Sequence, residues 1–352
     1  MTLTTFPHDP LLDLDPWVGQ RQCTFRFALS DAVSGEQLGN ITPIRNASLT
    51  HDTTRTIKRQ LTLALGVADT AAINPISERV DVFMVFPSGV EYPLGRYMFT
   101  DASRQVFTSG KLGDMALNDE MFLVDQQITV GLSGVGKGVS TVIQEALAGL
   151  PVDYDLAASP YLSADAWGLG TGRGQVLEAL AVSGDYFSPW FGNDARMHFI
   201  RTFYPTNAVA DFDFDAGNKV MREGILENDD LLVAPNTFIV VSNAAADPSL
   251  EVVGRYDVPP SAPHSLARRG FVIAQVENLQ VADADQARAV ARGIGIRQTV
   301  FERVSLTTAP DPRHDSYNVV VWQGEKWLEL AWSMALVEGG TMNHLLRKGY
   351  VP

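Results

Sequence analysis

Glycine and proline interrupt this chain 29 and 19 times in 352 residues, which leaves little room for long uninterrupted helices. Such punctuation favours many short strands joined by turns. Cys23-Thr24-Phe25-Arg26-Phe27 opens an alternating run, with turn signals at Gly35 and Gly39-Asn40. Residues 47–66 predict two longer strands, with Leu61, Leu63 and Leu65 on one face. Residues 79–106 continue as a strand, a Ser88-Gly89 turn, a short strand and another strand. Repeated strands with tight turns and no intervening helix argue for an antiparallel barrel or sandwich.

Helical spacing first enters after about residue 126. Val139, Val142, Ile143, Ala146 and Leu147 share a face, and Gly149 and Pro151 end the run. Val176, Leu177, Leu180 and Ala181 repeat the pattern up to Gly184. Residues 190–203 read as a hairpin turning at Gly192-Asn193-Asp194. Further on, 237–243 predict a strand, and Asp283 to Arg292 a helix with Ala284, Ala287, Val290 and Ala291 as its stripe. Residues 298–308 predict a strand, 318–336 paired strands around Gln323-Gly324, and 341–349 a short closing helix.

The expected fold is a mixed, β-rich α+β arrangement with two β-barrel domains and a small α/β insert domain. Residues 1–19, broken at Asp9-Pro10 and Asp15-Pro16, form an N-terminal arm. Residues 20–125 make the first β-barrel and 126–205 the small α/β domain. Residues 206–240 and 296–352 make the second β-barrel with its C-terminal helix, around an inserted segment, 241–295, with one helix.

Composition narrows the function classes. Cys23 is the only cysteine, so an intramolecular disulfide or a thiolate metal cage cannot form. The first residues lack the basic and apolar regions of a signal peptide, and apolar stretches fall short of the ~20 residues a transmembrane helix needs. A soluble, non-membrane chain is expected. Basic residues number 11 against 16 acidic in 1–150, 6 against 16 in 151–260, and 10 against 9 in 261–352. That acidic balance offers no dense surface for gripping a phosphate backbone, yet it allows a non-adhesive passage for DNA.

Several motifs imitate chemistry. Gly131 through Lys137 match seven positions of a phosphate-binding loop, but Gly138 stands where a magnesium-binding hydroxyl is needed. Gly170, Gly172 and Gly174 have a G-x-G-x-G spacing, which differs from the dinucleotide fingerprint. Asp211, Asp213 and Asp215 imitate a calcium loop whose sixth and twelfth positions are Ala216 and Arg222 instead of glycine and glutamate. The simpler reading buries Phe212 and Phe214 and leaves the aspartates wet. His8, His51, His198, His264, His314 and His344 form no i, i+4 metal pair, and Ser133 and Ser183 lack a nucleophile elbow. No catalytic, cofactor-binding or metal residues are expected. Trp322, Trp327, Trp332 and Tyr97 are read as buried anchors, some at subunit boundaries.

The order of units resembles the baseplate hub, or tail-associated (minor tail) protein, family of long-tailed bacteriophages. The resemblance is carried by 170–203 and 282–348, with a helix then a one-turn hairpin in the first. The second has an alanine-rich helix, a strand, an Asp/Pro approach and late strands ending near Gly339-Gly340. It implies a non-enzymatic structural protein of the virion tail tip, assembled in the host cytoplasm as a homotrimer. The implied trimer closes the tail tube, adapts sixfold symmetry to a threefold tip, and surrounds the passage for tape-measure protein and DNA. Implied partners are the distal tail ring or tail tube protein, the tape-measure protein, tail fibre or other tip proteins, and DNA in transient, non-specific passage. A particle-associated carbohydrate or peptidoglycan hydrolase and a receptor-binding module remain as alternatives.

Overall fold

The computed structural model describes residues 22–42, 47–65, 73–100, 113–216, 220–227, 234–242, 252–298 and 302–349. The expected 1–19 arm lies outside the described residues. Seven strands come first: β1 (Thr24–Asp31), β2 (Gln37–Ile41), β3 (Ala47–Asp52), β4 (Arg59–Leu65), β5 (Glu78–Val85), β6 (Glu91–Phe99) and β7 (Gly113–Asp119). Their period-two patterning sets the faces, since Leu49, Leu61, Leu63 and Leu117 are fully buried while Thr50, Gln60, Thr62 and Asn118 point the other way.

The α/β insert follows. It contains the short helix Met121–Val124, β8 (Leu132–Ser133), helix Val139–Leu147, β9 (Tyr154–Leu156) and β10 (Ala166–Trp167). Helix Arg173–Ser183, β11 (Trp190–Phe191) and β12 (Met197–Phe199) complete it. Both apolar stripes read from the sequence are buried in one core with Phe191 and Phe199. Ahead of its first long helix this unit has strand only over the two residues of β8.

The remaining elements are β13 (Phe212–Asp213), β14 (Val220–Glu227), β15 (Thr237–Ser242), β16 (Val252–Asp257), helix Leu266–Arg269 and β17 (Ala274–Asn278). Helix Ala284–Gln298, β18 (Glu302–Thr308), β19 (Val319–Trp322), β20 (Glu325–Leu336) and β21 (Met342–Lys348) close the described chain. The Gln323-Gly324 turn between β19 and β20 is a two-residue hairpin with φ of 54° and 72°. Positive φ at both positions matches the strand twist, and glycine adopts it without strain.

The two strand-rich regions share a single 13-stranded sheet, in the order β14-β18-β21-β20-β3-β4-β7-β6-β5-β1-β2, with β19 and β13 paired beside β20. Among the described residues this ladder does not close on itself, so two separately closed barrels are not what the pairing forms. The join is made by β20. Residues Glu325 to Trp322 and Leu328 to Val319 pair its first third with β19, whereas Ala331 to Leu336 pair with Asp52 to Ala47 of β3. A register shift between Glu329 and Ala331 marks the changeover, where β20 also runs against β21. A bulge of this kind bends the strand and re-aims its side chains.

Two further expectations change. The segment 342–348 is a strand and not a helix: Met342, His344 and Leu346 are buried at period two, and β18 and β20 satisfy its backbone on both sides. A run of nine residues fits either period, and the pairing decides. The strand 237–242 also leaves the second strand group. It pairs with β16 and β17, and helix Ala284–Gln298 covers that three-stranded sheet, so the inserted unit begins earlier and ends later than 241–295. Gly254 makes the close packing possible, because a Cβ there would meet the Ala287 backbone at 2.1 Å.

Candidate functional site

The outward face of the central strands carries an aligned row of small, uncharged polar side chains. Asn118 stands opposite Gln60, Gln60 opposite Thr50, Thr50 opposite Ser333, Ser333 opposite Asn343, and Asn343 opposite Thr307. The row crosses the β20–β3 join without interruption. A hollow of about 400 Å³ lies over it, with Asp52, Arg55 and Lys58 among its lining residues. Thr307 donates to the Asn343 side-chain oxygen at 2.9 Å, and Thr50 to the Gln60 carbonyl at 3.3 Å. The row itself offers hydrogen bonds in both directions and carries no charge, whereas Asp52, Arg55 and Lys58 bring charge to the lining of the hollow.

Beneath this face, inward positions of the same strands hold a buried polar junction. Arg59 is 1% exposed and donates to Asp315 at 2.6 Å and to the Asn193 side-chain oxygen at 2.6 Å. Asp315 also accepts from the Trp190 indole at 2.7 Å and from the amides of Ser316 and Asn193. Asn193 donates to the carbonyls of Pro312 and His314, and Trp332 donates to that of Asp315. The junction therefore ties the first strand group, the α/β insert and the 309–318 loop together. A charged hydrogen-bonded node of this kind is fully effective only when every member is paired.

Histidines occupy the same layer. His51 contacts Ser316 Oγ at 2.7 Å and stacks on Trp332 at 5.3 Å, and burial, with Arg59 and Lys58 nearby, holds its pKa well below the usual histidine range. His314 and His344 each present Nδ1 to Glu329, at 2.8 and 2.6 Å. Burial pushes the Glu329 carboxyl up, but the two imidazoles outweigh it and hold the pKa down to about 2. No local pattern marks this trio, whose members come from a loop, β20 and β21. The available signal was parity: His51 follows Leu49, Arg59 precedes Leu61, and His344 lies between Met342 and Leu346, all at inward positions.

A second charged spot lies between the first strand group and the insert, where Arg96 pairs with Asp81 at 2.7 Å. Glu120 there is pushed up to about 7, chiefly by burial, against the opposing pull of Arg96 and Arg79. A carboxyl raised in the folded state loses stability as pH climbs from its unfolded value through about 7. Glu120→Gln is therefore expected to stabilise the fold by about 1–2 kcal/mol near pH 8, allowing for partial solvent screening, and to be neutral near pH 4. Urea unfolding of both chains at the two pH values measures this. A variant no more stable than the parent at high pH would refute the shift.

The motifs singled out from sequence have structural uses. In the 131–138 loop, the amide of Gly136 donates to Ser163, that of Lys137 to Gly134, and Lys137 pairs with Glu145 at 2.7 Å. Gly170 and Arg173 donate their amides to Ile128 and Gln126. Asp211 accepts from the Val319 amide, and Asp215 caps the β19–β20 turn by accepting from Gln323 and Gly324 at 2.7 and 2.8 Å. Phe212 and Phe214 are buried, as are Trp322, Trp327, Trp332 and Tyr97. Trp322 and Trp327 belong to the second strand group's core, whereas Trp332 belongs to the first.

The fold is similar to that of several solved phage tail proteins. Alignment with a tail protein from Neisseria meningitidis MC58 gives a TM-score of 0.59 at 13% identity, covering 92% of this chain and 96% of the other. The 43 kDa tail protein of prophage MuSo2 from Shewanella oneidensis aligns with a TM-score of 0.56 at 12% identity, over 92% and 98% of the two chains. Prophage tail protein gp18 from Listeria monocytogenes EGD-e gives 0.53 at 7% identity, over 92% and 94%. At such identities the shared property is the fold. No protein-family model and no curated protein matches the sequence. Among the described residues, no helix is long and apolar enough to cross a membrane.

Proposed function

We propose that this chain is a structural hub protein at the distal end of a phage tail, located in the virion and without enzymatic activity. The fold likeness over 92% of the chain supports the tail role. The observation that carries the reading further is the uncharged polar row running across both strand groups. In this account the two strand groups act as two barrel-like units, so three copies present six units to a sixfold tail. The domain plan retains an arm at 1–19 and an α/β insert at 126–205, with the inserted unit held against that insert where helix Ala284–Gln298 pairs Arg292 with Asp185.

The polar face would border the central passage. Uncharged hydroxyls and amides neither trap a polyanion nor expose an apolar surface to an unfolded tape-measure chain. Neighbours would be the distal tail ring or tube protein above and fibre or other tip proteins below. Ser333→Lys combined with Asn343→Lys places cations in the row at exposed or half-buried positions. Particles carrying the variant are expected to assemble normally but to deliver DNA about ten-fold less often, because each lysine adds a phosphate contact. Unaltered delivery from particles with the full complement of the variant chain would remove this face from the passage.

A further inference from the structure

The His314, Glu329 and His344 trio has a use that the tail role does not require. All three side chains are at most 1% exposed, and one ligand atom from each lies within 4.8 Å of the others. Ionised Glu329 can only accept hydrogen bonds, so each Nδ1 contacting it carries a proton in the ion-free arrangement. The two contacts fall on different carboxylate oxygens, His314 on Oε2 and His344 on Oε1. Two imidazole nitrogens and two carboxylate oxygens thus converge from the 309–318 loop, β20 and β21.

We propose that this trio is a buried structural site for a divalent first-row transition ion of the zinc class. The imidazoles select against calcium and magnesium, which favour oxygen ligands throughout. Zinc sits about 2.0–2.1 Å from imidazole nitrogen and about 2.0–2.2 Å from carboxylate oxygen. Ligand atoms around it are therefore somewhat farther apart than the present 2.6 and 2.8 Å hydrogen bonds, and a small outward movement of the imidazoles accommodates the ion. A neutral imidazole that coordinates through the Nδ1 now facing Glu329 carries its proton on Nε2.

Support for the ligands is already in place on one side. His344 Nε2 lies 2.8 Å from Thr308 Oγ1, and that hydroxyl can donate to the Ala309 carbonyl at 2.8 Å while accepting from Nε2–H. Metal-bound histidines characteristically donate their second N–H in this manner. His314 Nε2 is buried without a hydrogen-bond partner, so this ring is held by stacking on Phe212 at 3.7 Å and 7°. The β20 bulge at Glu329 sets the carboxylate between the rings. With the carboxylate bidentate, four protein atoms complete the shell and leave no open position for substrate, as a structural site demands.

The full chain, stripped with a chelator and dialysed against Zn²⁺, is expected to retain one ion per chain and to melt at a higher temperature. Co²⁺ in its place should give the visible absorption of a four-coordinate complex. Glu329→Gln should weaken Zn²⁺ binding by at least about 100-fold, whereas His198→Ala, whose ring pairs with Asp194 and not with the trio, should leave it unchanged. If Glu329→Gln does not fold, His314→Ala serves as the second variant with the same expected loss. Absence of stoichiometric uptake by the parent chain, or uptake insensitive to these two variants, overturns the proposal.

Discussion

Arg59→Met is expected to destabilise the fold by about 3–5 kcal/mol, since it removes one partner of a buried ion pair and leaves the other behind. Methionine keeps much of the side-chain volume, so the loss reports the polar junction more than a cavity. Asp315 would keep the Trp190 and amide contacts but lose its cation, and Asn193 would lose a 2.6 Å acceptor contact. Adding Asp315→Asn should restore part of the loss, because the stranded charge is gone; the double-mutant cycle in urea measures that coupling. Additive losses would mean that the Arg59–Asp315 contact contributes nothing of its own, and a single-variant loss below about 1 kcal/mol would mean that the junction does not hold the units together.

Trp332→Ala should cost a similar amount, about 3–5 kcal/mol, for a different reason. The indole is 3% exposed in the first strand group's core, and it stacks on His51 and underlies the Arg59 guanidinium at 5.5 Å. It stands on β20 opposite His51 of β3, within the pairing that joins the two groups. Hydrogen exchange should therefore speed up most in 47–52 and 331–336, and less in β1 and β5 on the far side of the sheet. Uniform acceleration across all strands would show that the join is no weaker or more local than the rest.

Local pattern revealed the elements because burial leaves a period in the sequence. Leu61, Leu63 and Leu65 marked β4, and the stripes at 139–147 and 173–183 marked the insert helices. Long-range partners leave no such mark. Nothing within 325–336 tells that its first residues face β19 and its last face β3, since the identity of the neighbouring strand leaves no mark on the residues themselves. The same holds for 237–242, where a strand was evident but its pairing with β16 and β17 depends on the covering helix. Residues 341–349 fit a helix as readily as a strand, because nine residues with three apolar positions satisfy two periods at once.

The site was less legible than the fold. The dense motifs, the glycine loops and the aspartate run, serve turns and caps. The buried junction is instead assembled from single residues far apart in the chain, such as Arg59, Asn193 and Asp315. Each sits among polar or turn residues in its own segment, Arg59 between Lys58 and Gln60, Asn193 between Gly192 and Asp194, and Asp315 between His314 and Ser316, so nothing local marks it. The polar row was similarly hidden, because alternate Ser, Thr, Asn and Gln residues look like ordinary solvated positions until register aligns them.

The most direct test of the account is electron cryomicroscopy, at side-chain resolution, of an assembled particle containing this chain. It predicts three copies encircling an open axis at the end of the tail tube, with Thr50, Ser333 and Asn343 turned toward that axis. Copies that surround no channel, or that turn this polar face outward, would contradict it.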